Sequence, residues 1–239
     1  MRESFTIVLI HGHGVDASIW DGIYAGLVSD GPVLRPDFSR LTNHTTIDRY
    51  AEDLFRQLQE GGIDDVMLVG HSMGGYIALA FAEQHPEMMR GLCLFHSTAY
   101  ADDESKREQR TKAVGALTDG GAPKFIAELM PKMVSPTYAK ERLQPLIERF
   151  SDLPTDALIA GMKAIATRPD RTHILRDASF PILLVLGKQD QVIPYEQTSR
   201  LADLNERITV VPLPTSGHLS MIEQPDEALD ALKSFIGRL

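Results

Sequence analysis

The chain has 239 residues, 43% of them hydrophobic, which is enough to bury one sizeable core or two, and one compact domain with an insertion is expected. Lys and Arg number 24 against 33 Asp and Glu, a formal net charge of −9, and with no basic run this excludes the electrostatic footprint that nucleic-acid binding requires. The single cysteine, Cys93, can form neither an intramolecular disulfide nor a zinc-binding thiolate cluster, and is expected as a buried structural thiol.

At the N-terminus Arg2 is followed by Glu3, the apolar run Phe5 to Ile10 stops at His11, and no small-residue cleavage site appears. No signal peptide is expected on that pattern, and a cytoplasmic location follows. Phe5 to Ile10 reads as a first strand. With Tyr76 to Ala82 and Ile182 to Leu186, it falls well short of the roughly 20 residues a membrane-spanning helix needs, so no membrane partner is expected. Pro32 to Arg35 reads as a second strand and Val66 to Val69 as a third. Between them Ile47, Tyr50, Ala51, Leu54, Phe55 and Leu58 recur at three and four residues behind Thr45 or Thr46 as N-cap, which predicts an amphipathic helix. After the third strand, Ile77 to Ala82 is apolar nearly all round and predicts a helix buried at the centre. Gly91 to Phe95 is the fourth strand candidate.

The alternation stops from about Thr98 to Asp177. Phe125/Ile126/Leu129/Met130/Met133, Leu143/Leu146/Ile147/Phe150 and Leu158/Met162/Ile165 mark successive amphipathic helices with no strand between them. Polar Asp102 to Arg110 opens this segment, and Pro123, Pro136, Pro154 and Pro169 break it. Strand signals return with Ile182 to Leu186 and Ile208 to Val211. Short aliphatic runs alternating with helical stretches predict an α/β fold with a mostly parallel central sheet flanked by helices.

Gly70-His71-Ser72-Met73-Gly74 joins the third strand to the buried helix, the context in which a G-x-S-x-G match acquires meaning. A serine there sits on a sharp turn, the glycines on either side and Gly75 relieve the crowding, and the hydroxyl is presented above the strand ends. A chance match in a glycine-containing turn is the bland alternative, and the flanking strand and helix argue against it. Serine is a poor nucleophile at neutral pH, so it needs an imidazole base, and the imidazole needs a carboxylate to fix its tautomer. Of eight histidines, His218 in Ser216-Gly217-His218-Leu219 is the one placed after the last strand. His11 and His13 belong to the first turn, His71 points away from the nucleophile beside it, and His44, His85 and His173 read as surface positions. His96 closes the fourth strand and reads as lining a pocket. Asp190 follows the fifth strand; it is either an ordinary turn aspartate or the carboxylate partner, and with Ser72 and His218 it completes the order Ser, Asp, His.

His11-Gly12-His13-Gly14 through Trp20, the Gly70 to Gly74 elbow, Asp190 and His218 together resemble an α/β-hydrolase of the esterase, lactonase and C–C hydrolase branch, over most of the chain. The resemblance implies an α/β-hydrolase fold with a core of 1–97 and 178–239, and a helical cap at 98–177 that matches the family only in position and helical content. It implies Ser72, Asp190 and His218 as catalytic residues, an acyl-enzyme, and an oxyanion hole from the backbone N–H groups of His13 and Met73. Because Ser72 rather than aspartate follows His71, the haloalkane dehalogenase and epoxide hydrolase branches are disfavoured. The expected substrate is a small to medium, largely apolar ester, with a lactone or a carbon–carbon bond as alternatives. His96, Phe125, Met130 and Met162 are candidate pocket residues, although such residues also pack a cap's own interior. No metal or organic cofactor is expected, since no His, Cys and carboxylate cluster has metal-ligand spacing, and the chain is expected as a monomer or homodimer.

Two rival readings remain. Gly12-His13-Gly14-Val15-Asp16-Ala17 after a strand, with Asp37 further on, fits a dinucleotide-binding fingerprint, but it leaves Ser72, Asp190 and His218 without a joint role. A hydrolase-like receptor that registers a small ligand with slow or no turnover keeps all three residues in use.

Overall fold

In the computed structural model, which describes residues 5–239, six strands form one wholly parallel sheet: β1 (Thr6–Ile10), β2 (Val33–Leu34), β3 (Val66–His71), β4 (Met89–Phe95), β5 (Ile182–Gly187) and β6 (Ile208–Leu213). Their order across the sheet is β2-β1-β3-β4-β5-β6. All six strand segments indicated by the sequence are present. β3 runs on to His71 and β4 starts at Met89, while β2 keeps only two residues. The chain leaves β2 at Arg35, where Pro36 brings no amide donor to the ladder.

β3 and β5 are buried along their whole length because helices cover both faces, so they read as unbroken apolar runs. On one face Val8, Ile10, Leu68, Leu94 and Leu184 pack with α2 (Ile47–Glu60) and α3 (Met73–Gln84). On the other, Ile7, Leu9, Val69, Cys93 and Val185 pack with α1 (Asp21–Val28), which follows a 3-10 turn at Ala17–Trp20, and with the C-terminal helix Pro225–Ile236. In α2, Ile47, Tyr50, Ala51, Leu54 and Leu58 are buried, and Thr46 is the N-cap, its side chain accepting from Arg49 N. Ten consecutive residues of α3, Met73 to Ala82, are buried.

Between β4 and β5 the chain is helical: α4 (Glu104–Met133), α5 (Lys140–Phe150), α6 (Thr155–Thr167) and α7 (Thr172–Asp177). The polar stretch that opens the segment forms the first turns of α4, capped by the Asp103 side chain accepting from Lys106 N. α4 breaks at Gly121, whose φ of 72° and ψ of 179° interrupt the helix two residues before Pro123. Pro136 lies between α4 and α5, Pro154 caps α6, and Pro169 follows it. After β5 come α8 (Tyr195–Thr198) and a 3-10 stretch at Ser199–Leu204, and after β6 come α9 (Ser220–Glu223) and α10, the C-terminal helix already described. Among the described residues no helix is long and apolar enough to cross a membrane.

Of the histidines expected on the surface, His44 departs from its place. His44 is buried rather than on the surface: its Nε2 pairs with Asp53 and its ring lies 4.9 Å from Tyr50. α2 presents Asp53 inward to receive it, so a polar residue on the buried face supplies a partner that periodicity alone does not reveal.

Candidate active site

β3 ends at His71 and α3 begins at Met73, leaving one residue, Ser72, to turn the chain. Its φ of 52° and ψ of −116° are costly for a side chain with a Cβ, about 1–3 kcal/mol, and persist only when the surroundings fix them. They do: Ser72 N donates to Phe95 O at 3.1 Å, and its carbonyl accepts from Ser97 Oγ at 2.7 Å and Gly75 N at 2.9 Å. The elbow closes so tightly that a Cβ on Gly70 would lie 2.4 Å from Gly74 O, and one on Gly74 2.3 Å from Ile10 O. These backbone contacts account for the two glycines of the motif.

Asp190 lies in the turn after β5. Its Oδ1 accepts from the backbone N–H of Val192 at 2.8 Å and of Ile193 at 2.9 Å, and its Oδ2 accepts from His218 Nδ1 at 2.7 Å. Both side chains of this pair are 1% exposed. Burial opposes the carboxylate's charge, but attraction to His218 and its hydrogen bond, with His96 behind, hold the Asp190 carboxyl well below the usual carboxylate range. Donation from Nδ1 leaves the lone pair on His218 Nε2, which is buried with no hydrogen-bond partner among the described residues.

The loop carrying His218 is fixed from three sides. Its backbone N–H donates to Met133 O, at the end of α4, at 2.9 Å. Its carbonyl accepts from His71 Nε2 at 2.9 Å, and burial keeps the His71 ring neutral by pushing its pKa well down. Around the loop, the Glu223 carboxylate of α9 accepts from Gly217 N at 3.0 and 3.1 Å, from Leu219 N at 3.2 Å and from Ser135 N at 2.7 Å. Neither Glu223 nor Ser220 stands out in the sequence. An acidic residue in a short helix reads as solvent-facing, and nothing local signals that it caps a loop and holds the segment after α4.

The structure therefore joins Asp190 to His218 and sets Ser72 on the elbow, while no hydrogen bond links Ser72 Oγ to His218 Nε2. Ser72 and His71 both press on the first turn, where a Cβ on Gly12 would lie 3.1 Å from Ser72 Cβ and 2.7 Å from His71 Nδ1. His13 lies in the same turn. Its Nε2–H donates to Leu158 O at 2.8 Å, and burial lowers its pKa to about 4, partly offset by that bond and assisted by the charge of Arg110. Met73, the first residue of α3, carries one of the helix's unsatisfied amides.

His96 does not line a cavity. It is wholly buried behind Asp190, its Nε2 sharing a 2.6 Å hydrogen bond with Ser220 Oγ and its Nδ1 3.4 Å from Asp190 Oδ2. A positive φ of 47° at the end of β4 turns its ring inward under Gly187, whose N–H reaches Nδ1 at 3.2 Å. Met130 also departs from expectation, since it is wholly buried among the apolar side chains beneath α4. Phe125 and Met162 do border a cavity, one of about 450 Å³ between the two halves of α4.

Spatially, His96, Asp190 and His218 bring one possible metal-ligand atom each within 4.8 Å of one another, a grouping that chain spacing conceals. The hydrogen bond from His218 to Asp190 already uses two of those atoms. The dinucleotide fingerprint finds no room: His71 and Ser72 occupy the space over Gly12, and a Cβ on Gly14 would meet Leu129 Cδ2 at 2.6 Å. Asp37 stands beside His11 instead, Oδ1 to Nε2 3.3 Å.

The profile of the Alpha/beta hydrolase family matches residues 7–231. A thermophilic esterase from Thermogutta terrifontis superposes with a TM-score of 0.91 at 25% identity, covering 98% of this chain and 90% of its own. In sequence, the chain is 26% identical to 2-hydroxy-6-oxo-6-(2'-aminophenyl)hexa-2,4-dienoic acid hydrolase of Metapseudomonas resinovorans over 97% of this chain and 84% of that protein. It is also 22% identical to Karrikin insensitive 2 receptor CA of Petunia hybrida, over 95% and 90% respectively.

Proposed function

The chain belongs to the alpha/beta hydrolase family, and from that premise we propose that it is a serine hydrolase of small to medium, largely apolar esters, working through an acyl-enzyme on Ser72. The observation that carries this reading is the buried Asp190–His218 pair, whose hydrogen bond leaves a bare Nε2 lone pair on a ring 4.8 Å from that of His71, the residue before the strained Ser72. Ser72 Oγ attacks the carbonyl carbon and its proton passes to His218 Nε2; the imidazolium so formed is stabilised by Asp190, which stays ionised. The backbone N–H groups of His13 and Met73 receive the negative charge that develops on the carbonyl oxygen. Collapse breaks the bond to the leaving alkoxide, which takes the proton from Nε2. Water then adds to the acyl-enzyme as its proton passes to His218 Nε2, the Ser72–acyl bond breaks with Ser72 Oγ taking that proton back, and the acid departs. Residues 98–177 act as a cap over this site and carry the acyl-side contacts.

Multiple-turnover hydrolysis of p-nitrophenyl butyrate tests the reading. Ser72→Ala is expected to lower the rate by about a thousandfold or more with an unchanged circular dichroism spectrum. Turnover near that of the wild type would remove Ser72 from the mechanism. A wild-type protein that releases one equivalent of nitrophenol and then stops would instead favour a ligand-sensing role like the one named for the Petunia relative.

A further inference from the structure

The cavity between the halves of α4 runs against the charge of the whole molecule. Its wall carries Lys106, Arg110, Lys112 and Lys132 against one carboxylate, Glu128, in a chain whose formal net charge is −9. A concave surface of one sign focuses field and draws in ligands of the opposite sign. Surface lysines alone would mean little, but Arg110 is held in place. Its Nε donates to Asp102 Oδ2 at 3.2 Å, and Asp102, 3% exposed, receives Arg168 Nη2 on its other oxygen at 2.7 Å. One carboxylate thus faces two guanidinium groups, and half-buried Lys106 adds a further charge beside them. The terminal nitrogens of Arg110 have no partner among the described residues.

From this cationic corner an apolar wall runs to the first turn. The Phe125 ring stands edge-on to His13 with centroids 5.8 Å apart, and Leu129 presses on Gly14. Met162 adjoins Gly161, which packs so closely on the His13 ring that a Cβ there would lie 2.7 Å from Cδ2. Val192, whose N–H holds Asp190, borders the same cavity. The charge of Arg110 is also felt at His13, where it helps keep the imidazole neutral.

We propose that the substrate is an ester or lactone bearing a second, ionised carboxylate, its apolar spacer lying along Phe125, Leu129 and Met162 and its carboxylate meeting Arg110 and Lys106. The planar guanidinium, with its terminal N–H groups unused, is the donor that a carboxylate matches in two parallel bonds. This inference rests on the serine-hydrolase reading and adds the chemical class of the acyl group.

Two esters with the same leaving group test it, p-nitrophenyl hydrogen adipate and p-nitrophenyl heptanoate. The ratio of their kcat/KM values is expected to favour the anionic ester by about tenfold, the worth of one charge-assisted hydrogen bond. Salt raised to about 0.5 M should shrink that preference, since this site is open to solvent ions. Arg110→Gln and Lys106→Gln should each cut the ratio about fivefold or more, the loss of one charged partner. Lys106→Gln also serves if removing Arg110 from the Asp102 pair prevents folding. A wild-type ratio at or below one, or a ratio unchanged in both variants, overturns the proposal. Calorimetric binding of methyl hydrogen adipate against methyl heptanoate to Ser72→Ala reads the same preference without turnover, since only the first carries an ionised carboxylate. If neither nitrophenyl ester is hydrolysed but methyl hydrogen adipate binds more tightly, the hydrolase reading fails and the anion site stands; equal binding of the two methyl esters removes the site.

Discussion

Asp190 keeps a charge where burial works against it, and its two oxygens divide the work: one is tied to the turn's own backbone, the other to His218. Asp190→Asn is expected to lower kcat by about three to four orders of magnitude, because the amide no longer fixes the tautomer that bares Nε2. Its folded pKa lies below the unfolded one, so the stability it contributes is complete above the unfolded pKa near 4 and fades as the pH falls further. Denaturant titrations should therefore show wild type and Asp190→Asn far apart at neutral pH and converging in acid. His13 acts in the same direction, in a window nearer neutrality. Its pKa is lowered to about 4, so the unfolded chain takes up a proton between pH 6.5 and 4 that the folded chain refuses, and stability must fall across that window. The loss is on the order of 3 kcal/mol at most. His13→Phe should flatten this part of the stability profile; an unchanged slope would mean the ring titrates freely in the folded protein.

Glu223 shows an element acting through one side chain, since α9 is only four residues long yet its carboxylate gathers the N–H groups on both sides of His218 and that of Ser135. Glu223→Ala is expected to lower kcat by about ten- to a hundredfold through loss of orientation. Glu223→Gln, which retains one acceptor oxygen, should recover part of it. Were both variants to lower the melting temperature while leaving kcat intact, α9 would be a packing element only. Much of this architecture was legible in the sequence. β3, β4 and β5 stand out because burial on both faces demands unbroken apolar runs, and α2 because its buried stripe has helical period. The elbow was legible because its backbone contacts leave no space for a side chain at Gly70 and Gly74. What escaped depends on distant closure. Ser135 and Glu223 are 88 residues apart, His96 is turned inward by a positive φ, and Met130 is separated from Phe125 only by the face of α4 on which it falls. None of these leaves a periodic or compositional mark.

For the whole molecule, α4 and α5 of the segment between β4 and β5 pack with the core on the side of α1 and α10, Ala164, Ile165 and Leu175 join the core on the side of α2 and α3, and the segment reaches the first turn through Leu158, Leu129 and Phe125. Phe125→Ala and Met162→Ala are expected to change the ratio of kcat/KM for long and short acyl esters by several-fold each, about the worth of a few methylene contacts. If chain-length preference stays constant while the melting temperature falls, those side chains serve packing alone. One further attachment of the segment runs from the carbonyl of Met133 to the amide of His218. That amide can exchange its hydrogen for deuterium only when the bond to α4 parts. Its exchange rate is therefore a clock for lifting of the segment, readable at one residue without any substrate, and a tightly bound acid that slows this clock would reveal by how much closure and occupancy favour one another.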